Sequence, residues 1–337
     1  LRPLAVSLGD PAGVGPEIIV KAWRHLREDG PRFMVVGDRD SLAAAAQGGG
    51  QIRRVGGPDE ATAVFGDALP VLDMPLTSPV VAGQPSPLYA PAVIRSIETA
   101  VGLALSGAAS GVVTAPIAKA PLYEAGFKFP GHTEFLAELT AAAPMDGPRG
   151  PVMMLTAADL KTVLVTIHTP LKQAIADLSV DRIVDVGRVT AYALTRDFGI
   201  ARPRLALAGL NPHAGEGGAM GREEVEIVAP AAARLRALGI ACADPQPADS
   251  LFHAEARARY DAVICLYHDQ ALIPVKTIDF WGGVNITLGL PIVRTSPDHG
   301  TGFGIAGRGV ARADSLIAAI RTAAEMAARR EAARAAA

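Results

Sequence analysis

The stretch AVICLYHDQALIPVK, residues 262–276, decides how this chain is read. Six apolar or aromatic residues, Ala262 to Tyr267, run straight into His268 and Asp269, and a short apolar run then ends at Lys276. So brief an unbroken apolar run fits a strand covered on both faces, as in sheets flanked by helices. A buried strand normally finishes in a plain turn. One that delivers three ionisable groups is a candidate site.

The pattern recurs. LAVSLG (4–9), RFMVVG (32–37), GVVTAP (111–116), VMMLTA (152–157), KTVLVTIH (161–168) and RLALAGL (204–210) read as further short, buried strands. Helical periodicity fills PEIIVKAWRHLRE (16–28), VDRIVDVGRVTAYALTRDFG (180–199) and EIVAPAAARLRALG (226–239), with Gly199 and Gly239 placed as C-caps. Strands alternating with helices predict an α/β protein with mainly parallel strands. The Gly- and Pro-rich residues 46–90 give no clear element, and the Ala/Arg-rich tail 314–337 has helical propensity. At 337 residues the chain exceeds one ordinary core, so two domains are expected.

Composition narrows the function. A formal charge of −2 offers no surface for a polyanion, which argues against nucleic acid as a partner. The two cysteines, Cys242 and Cys265, lack CxxC spacing, so a disulfide scaffold or cysteine zinc site is not expected. No uninterrupted apolar run approaches the roughly 20 residues that span a bilayer, and no signal peptide is read at the start. A cytoplasmic protein with no membrane partner is the expectation.

Three of the seven histidines share one context: His168 ends KTVLVTIH, His213 follows RLALAGLNP, and His268 ends DAVICLYH. Ligands of open α/β sheets bind outside the carboxyl ends of parallel strands. Three imidazoles delivered there suit a divalent cation with a position left for substrate. On spacing alone, a local backbone hydrogen bond explains each one as readily. Asp269 is either a brace for a ligand or a capping carboxylate. In GHTEF (131–135), His132 and Thr133 open a helix whose N–H groups favour an anion, or Thr133 is only an N-cap. Lys276, Asn285 and Arg294 are the residue types that hold phosphate or carboxylate. GDPAGVGPE (9–17) supplies neither GxGxxG nor a P-loop, while the glycines of DHGTGFGIAGRG (298–309) allow close backbone approach.

Taken in order, GDPAGVGPE, GHTEF, TIHTPL, GLNPHAGEGG, YHDQ, GVNITLGLP and RTSPDHGT resemble the 4-hydroxythreonine-4-phosphate dehydrogenase family of vitamin B6 biosynthesis, over about residues 4–320. The chain's ends also look like the more distant isopropylmalate and isocitrate dehydrogenases. The resemblance implies two α/β/α domains with a cleft between them. It places the N-terminal turn and cofactor loop in residues 1–127 plus 300–337, and the metal-binding, substrate-binding, dimerising part in 128–299. It implies metal ligation by His168, His213 and His268, with zinc, magnesium, manganese or cobalt all open. Substrate contacts would be His132, Thr133, Lys276, Asn285 and Arg294. Asp249, Asp269 and Lys276 would serve catalysis, and Gly300, Thr301 and Gly302 would hold NAD or NADP. The family is homodimeric with ligands from both subunits, which would explain the poor histidine spacing. It oxidises 4-phosphooxy-L-threonine, and the product decarboxylates to 3-amino-2-oxopropyl phosphate. Similar dehydrogenases act on D-threonate or D-erythronate 4-phosphate or on cyclic dihydrodiols. From another class, a metal-dependent hydrolase would share the histidines but has no need of the 298–309 loop.

Overall fold

The computed structural model describes residues 2–47 and 51–336. Leu1, Gly48–Gly50 within the unassigned 46–90 stretch, and Ala337 of the helical tail lie outside the described residues. The described strands are β1 (Leu4–Ser7), β2 (Phe33–Gly37), β3 (Gln51–Arg54), β4 (Ala68–Asp73), β5 (Val112–Thr114) and β6 (Val152–Ala157). They continue with β7 (Leu160–Leu164), β8 (Arg204–Leu207), β9 (Ala241–Cys242), β10 (Ala262–Cys265), β11 (Val284–Leu288) and β12 (Arg294–Pro297). All seven apolar runs picked from the sequence are strands. The chain forms two compact units, Leu1–Pro144 with Leu290–Ala328, and Met145–Gly289 with Arg329–Ala337.

In the first unit the strand order is β3-β4-β2-β1-β5-β12, and every pairing is parallel. The helix Gly15–Leu26 follows β1, with Pro16 in its first turn, where a missing N–H costs nothing. It buries Ile18, Ile19, Trp23 and Leu26, and the Trp23 indole donates to the Phe65 carbonyl at 2.8 Å. The segment Pro87–Leu105 has the length and apolarity of a membrane span. Its helix nevertheless buries Val93, Ile97, Ala100 and Val101 in the core and packs on β1 and β2, with Arg95 and Glu98 on the same helix. It is a core helix of this unit.

In the second unit the order is β11-β6-β7-β10-β8-β9. β7, β10, β8 and β9 are mutually parallel, whereas β6 runs antiparallel to both β7 and β11. The parallel alternation read from the sequence therefore breaks here. The β6–β7 connection is Ala158-Asp159, with Ala158 at φ +50°, so neither residue carries the usual Gly or Asn hairpin signal.

The helix Val180–Phe198 is capped at Ser179, whose hydroxyl accepts from the Arg182 N–H at 3.2 Å, and ends at left-handed Gly199. Near its end the fully buried Asp197 carboxylate meets Arg196 and Arg330, each at 2.7 Å. Burial by itself raises the Asp197 carboxyl; hydrogen bonds from Arg196 and Arg330 and their charges outweigh that and hold it below the usual carboxylate range. The trio anchors the last turns of the helix Asp314–Ala336 within the second unit.

Because the native carboxyl is held low, its contribution is complete above about pH 4 and fades as pH falls through the lowered value. Asp197→Asn is expected to cost about 3 kcal/mol near neutrality, since it strands a buried guanidinium. Urea unfolding at pH 7 and again near pH 3 checks both statements: the gap between wild type and variant narrows in acid.

Candidate active site

β7 and β10 pair in parallel, with Leu164 beside Cys265, and β10 pairs in the same sense with β8. His168 follows β7, His268 follows β10, and His213 follows β8, so all three histidines emerge at carboxyl ends of adjacent strands. The His168 and His268 ring centroids lie 5.5 Å apart. They line a concavity of about 450 Å³ formed by residues 167–171 and 267–269. Asp269 Oδ1 sits 2.7 Å from His268 Nδ1. A carboxylate only accepts, so Nδ1 carries a proton and donates to Asp269, the contact that orients metal-binding histidines. Two rings this close can share an ion at the usual 2.0–2.1 Å or so. Among the described residues, no group of three or more His, Cys, Asp or Glu gathers at metal-holding distance in the single chain. His213 is thus not the third member of such a cluster within the chain.

His213 belongs to an unusual turn. Residues 213–217 all have positive φ: His213 +54°, Ala214 +51°, Gly215 +78°, Glu216 +42° and Gly217 +64°. For a non-glycine residue the left-handed region costs roughly 1–2 kcal/mol, so three in one turn need support from elsewhere. Asp249 lies in the turn Ala248–Ser250, which packs on this one.

The helix His268–Ile278 explains the rest of the opening stretch. Gln270, read only as part of a motif, is buried; it accepts from the Leu266 N–H at 2.7 Å and donates to the Gly209 carbonyl at 2.8 Å. It thereby ties the start of the His268 helix to the segment leading to His213. Pro274 lies inside the helix and cannot bond the Gln270 carbonyl; the buried Cys265 thiol approaches that oxygen at 3.8 Å instead. Burial pushes this thiol well up, which leaves it inert. Lys276 is two turns beyond Asp269 on the same helix, its Nζ 5.2 Å from the Phe280 ring centre. Asn285 is on β11, and its buried Oδ1 has no hydrogen-bond partner.

The first unit brings together His132, Thr133 and Arg294. Its helix His132–Leu139 is capped by Gly131, so Thr133 is a buried residue of the first turn and not the N-cap. His132 Nε2 is buried without a hydrogen-bond partner. Burial first, then the charges of Arg294 and Lys119, hold its imidazole well below the usual histidine value, so it is neutral at pH 7. Arg294, 2 % exposed, donates to the Thr114 hydroxyl at 2.7 Å. Burial pulls its guanidinium down to about 10, and nearby Glu134 opposes this; it remains a cation. Thr114 and Lys119 were missed in the sequence. The available signal was a hydroxyl within the run 111–116 and a lysine three residues beyond it.

Two glycine-rich loops meet in this unit. The Val14 N–H donates to the Thr301 carbonyl at 2.8 Å, and a Cβ on Gly13 would come within 2.8 Å of that oxygen. Gly302, at φ +56°, opens the turn Phe303–Ile305. Buried Glu17 accepts from the Ala311 N–H and from Lys21, each at 2.8 Å, and Lys21 also donates to the Gly309 and Ala311 carbonyls. These bonds fix the far end of the 300–311 loop. Gly300 and Gly304 have open space around them and no positive φ, so neither packing nor backbone angle demands a glycine there.

The family model described as pyridoxal phosphate biosynthetic protein PdxA matches residues 29–323. The chain belongs to this family. It is 71 % identical over 329 residues to the 4-hydroxythreonine-4-phosphate dehydrogenase of Caulobacter vibrioides, covering 98 % of each chain. It is 60 % identical to the protein of the same name from Maricaulis maris, over 97 % of this chain and 98 % of that one. The crystal structure of the Klebsiella pneumoniae 4-hydroxythreonine-4-phosphate dehydrogenase superposes with a TM-score of 0.85 at 40 % identity, over 97 % of this chain and all of the other.

The His132–Arg294 group yields a direct test. Sulfate is expected to raise the melting temperature of the wild type by a few degrees, and Arg294→Met to abolish that shift. Because His132 is already neutral, the sulfate effect should stay flat from pH 6 to 8. Thermal scans across that range check it.

Proposed function

We propose that this protein catalyses the NAD(P)-dependent oxidation of 4-phosphooxy-L-threonine to 2-amino-3-oxo-4-phosphooxybutanoate in pyridoxal phosphate biosynthesis. Loss of CO2 from that product gives 3-amino-2-oxopropyl phosphate. The observation that carries the chemical reading is the His168–His268 pair, 5.5 Å apart at adjacent strand ends, with Asp269 on the outer nitrogen of one ring. Its setting in a chain alike end to end with dehydrogenases of one name supports the substrate.

A divalent cation held by His168, His213 and His268 supplies, when bound, Lewis acidity toward the alcohol and the carbonyl that replaces it; imidazole donors favour zinc or cobalt over magnesium or manganese. The protein's own groups do the rest. Asp269 fixes the tautomer and angle of His268, and Asp249 stands beside the His213 turn. The first turn of helix His132–Leu139, with His132, Thr133 and the Arg294 cation, takes the phosphoryl group. Holding this remote end spends binding energy on aligning the reacting carbon. Asn285 accepts one substrate N–H or O–H with its unsatisfied oxygen. Lys276 contacts the substrate, and either it or a carboxylate–water relay takes the hydroxyl proton. Gly300, Thr301 and Gly302 form the dinucleotide cradle; bare backbone at Gly300 and Gly304, unneeded by the chain itself, fits close approach of a cofactor.

The active form in this reading is a homodimer with ligands drawn from both copies. Leu171, Ile175, Ile273, Phe280 and Trp281 are exposed on the segments that carry or follow His168 and His268, and a second copy would cover them. A shared site accounts for a two-histidine cluster in the single chain.

Incubation with 4-phosphooxy-L-threonine and NAD+ or NADP+ should generate absorbance at 340 nm, and a chelator should remove it reversibly. Turnover of D-erythronate 4-phosphate at equal or greater efficiency would replace the substrate assignment. Lys276→Ala is expected to lower kcat by about two orders of magnitude or more. If single-turnover hydride transfer survives in that variant and only KM rises, Lys276 is an anchor and not the base.

A further inference from the structure

The residues that lead into the left-handed turn at 213–217 are tied to one buried carboxylate. Glu224 is 3 % exposed and lies in the π-helical turn Glu224–Val228. Its Oε1 accepts from the backbone N–H groups of Leu210 and Asn211, each at 2.7 Å. Its Oε2 accepts from Asn211 Nδ2 at 2.9 Å, and the same amide donates to Glu223 Oε2 at 2.7 Å. The fit is close on all sides. A Cβ on Gly215 would come within 2.6 Å of Glu224 Oε2, and one on Gly221 within 2.3 Å of Asn211 Nδ2. A carboxylate suits this place because its three hydrogen-bond partners are all N–H donors. An amide of the same shape would turn an NH2 group toward a backbone N–H or the Asn211 amide.

We propose that Glu224 is the positioning residue of His213: its carboxylate locks Asn211 and the left-handed turn, presenting the imidazole in one place for a divalent cation. This rests on the reading of His213 as a ligand. Glu224 touches neither metal nor substrate. Its effect runs through the backbone of residues 210–215, and it explains how a histidine two residues beyond Asn211 is fixed in a conformation that a free loop would not keep.

The test compares wild type, Glu224→Gln, Glu224→Asp and His213→Ala, each stripped with a chelator and titrated with Co2+ or Zn2+ against a chromophoric competitor. Melting temperature without metal is measured in parallel. Glu224→Gln is expected to bind the metal on the order of 10- to 100-fold more weakly. The metal-free protein should melt within a few degrees of wild type, and kcat should recover at saturating metal. Glu224→Asp should regain part of the affinity. Wild-type affinity in Glu224→Gln, beside weak binding in His213→Ala, overturns the positioning role alone. Wild-type affinity in His213→Ala overturns the ligand assignment beneath it. Should Glu224→Gln fail to fold, Gly215→Ala, whose added methyl displaces Oε2, takes its place and must lose affinity; unchanged binding there overturns the proposal.

Discussion

The parallel pairing of β7 with β10 is the constraint on which the second unit's site depends. With Leu164 set beside Cys265, the two strands end level, and His168 and His268 leave the sheet as neighbours. A one-residue slip would swing every side chain of one strand to the opposite face. β10 is buried along its whole length and β7 at every residue but Lys161. Leu160, Val163, Leu164 and Ala262 to Cys265 are all within the core. Parallel strand pairing thus sets the spacing of the two imidazoles.

The two units solve opposite electrostatic problems. In the first, Arg294 is a cation kept charged in a buried place, and burial, followed by the charges of Arg294 and Lys119, lowers the His132 imidazole. That pairing leaves one fixed positive charge and one neutral hydrogen-bonding ring, a combination that attracts an anion without changing protonation near neutrality. In the second, Asp269 works on an accessible ring and sets which nitrogen stays free. Burial and cation repulsion set the state of one ring, and a partner carboxylate sets the orientation of the other.

Much of this was legible from residue order, because buried strands advertise themselves. The seven apolar runs became strands, and Gly199 and Gly239 lie at left-handed φ just past their helices. What escaped was polar or short. β3 is the exposed QIRR at a sheet edge, β9 has two residues, and β12 reads Arg-Thr-Ser-Pro yet is wholly buried. The β6–β7 hairpin turns on an alanine at positive φ, which no turn rule flags. Thr114, Lys119, Gln270 and Glu224 were passed over for one reason. Each acts through what tertiary contact brings to it, and linear spacing carries no trace of that.

The GLNPHAGEGG segment shows why a specific sequence and a strained backbone coincide. Gly215, Gly217 and Gly218 take positive φ at little cost, but His213, Ala214 and Glu216 do not. Had the chain needed only a tight turn, glycine would serve at all six positions. A histidine held left-handed makes sense when the imidazole must appear at one point that ordinary backbone angles miss. Three N–H donors ending on one buried carboxylate offset that strain, each charge-assisted bond contributing more than a neutral one. The same carboxylate forbids a side chain at Gly215, so the loop's identity is dictated from Glu224 as well as from its own angles. Strain, bracing residue and glycine pattern therefore form one device, and only the glycine pattern is visible without coordinates.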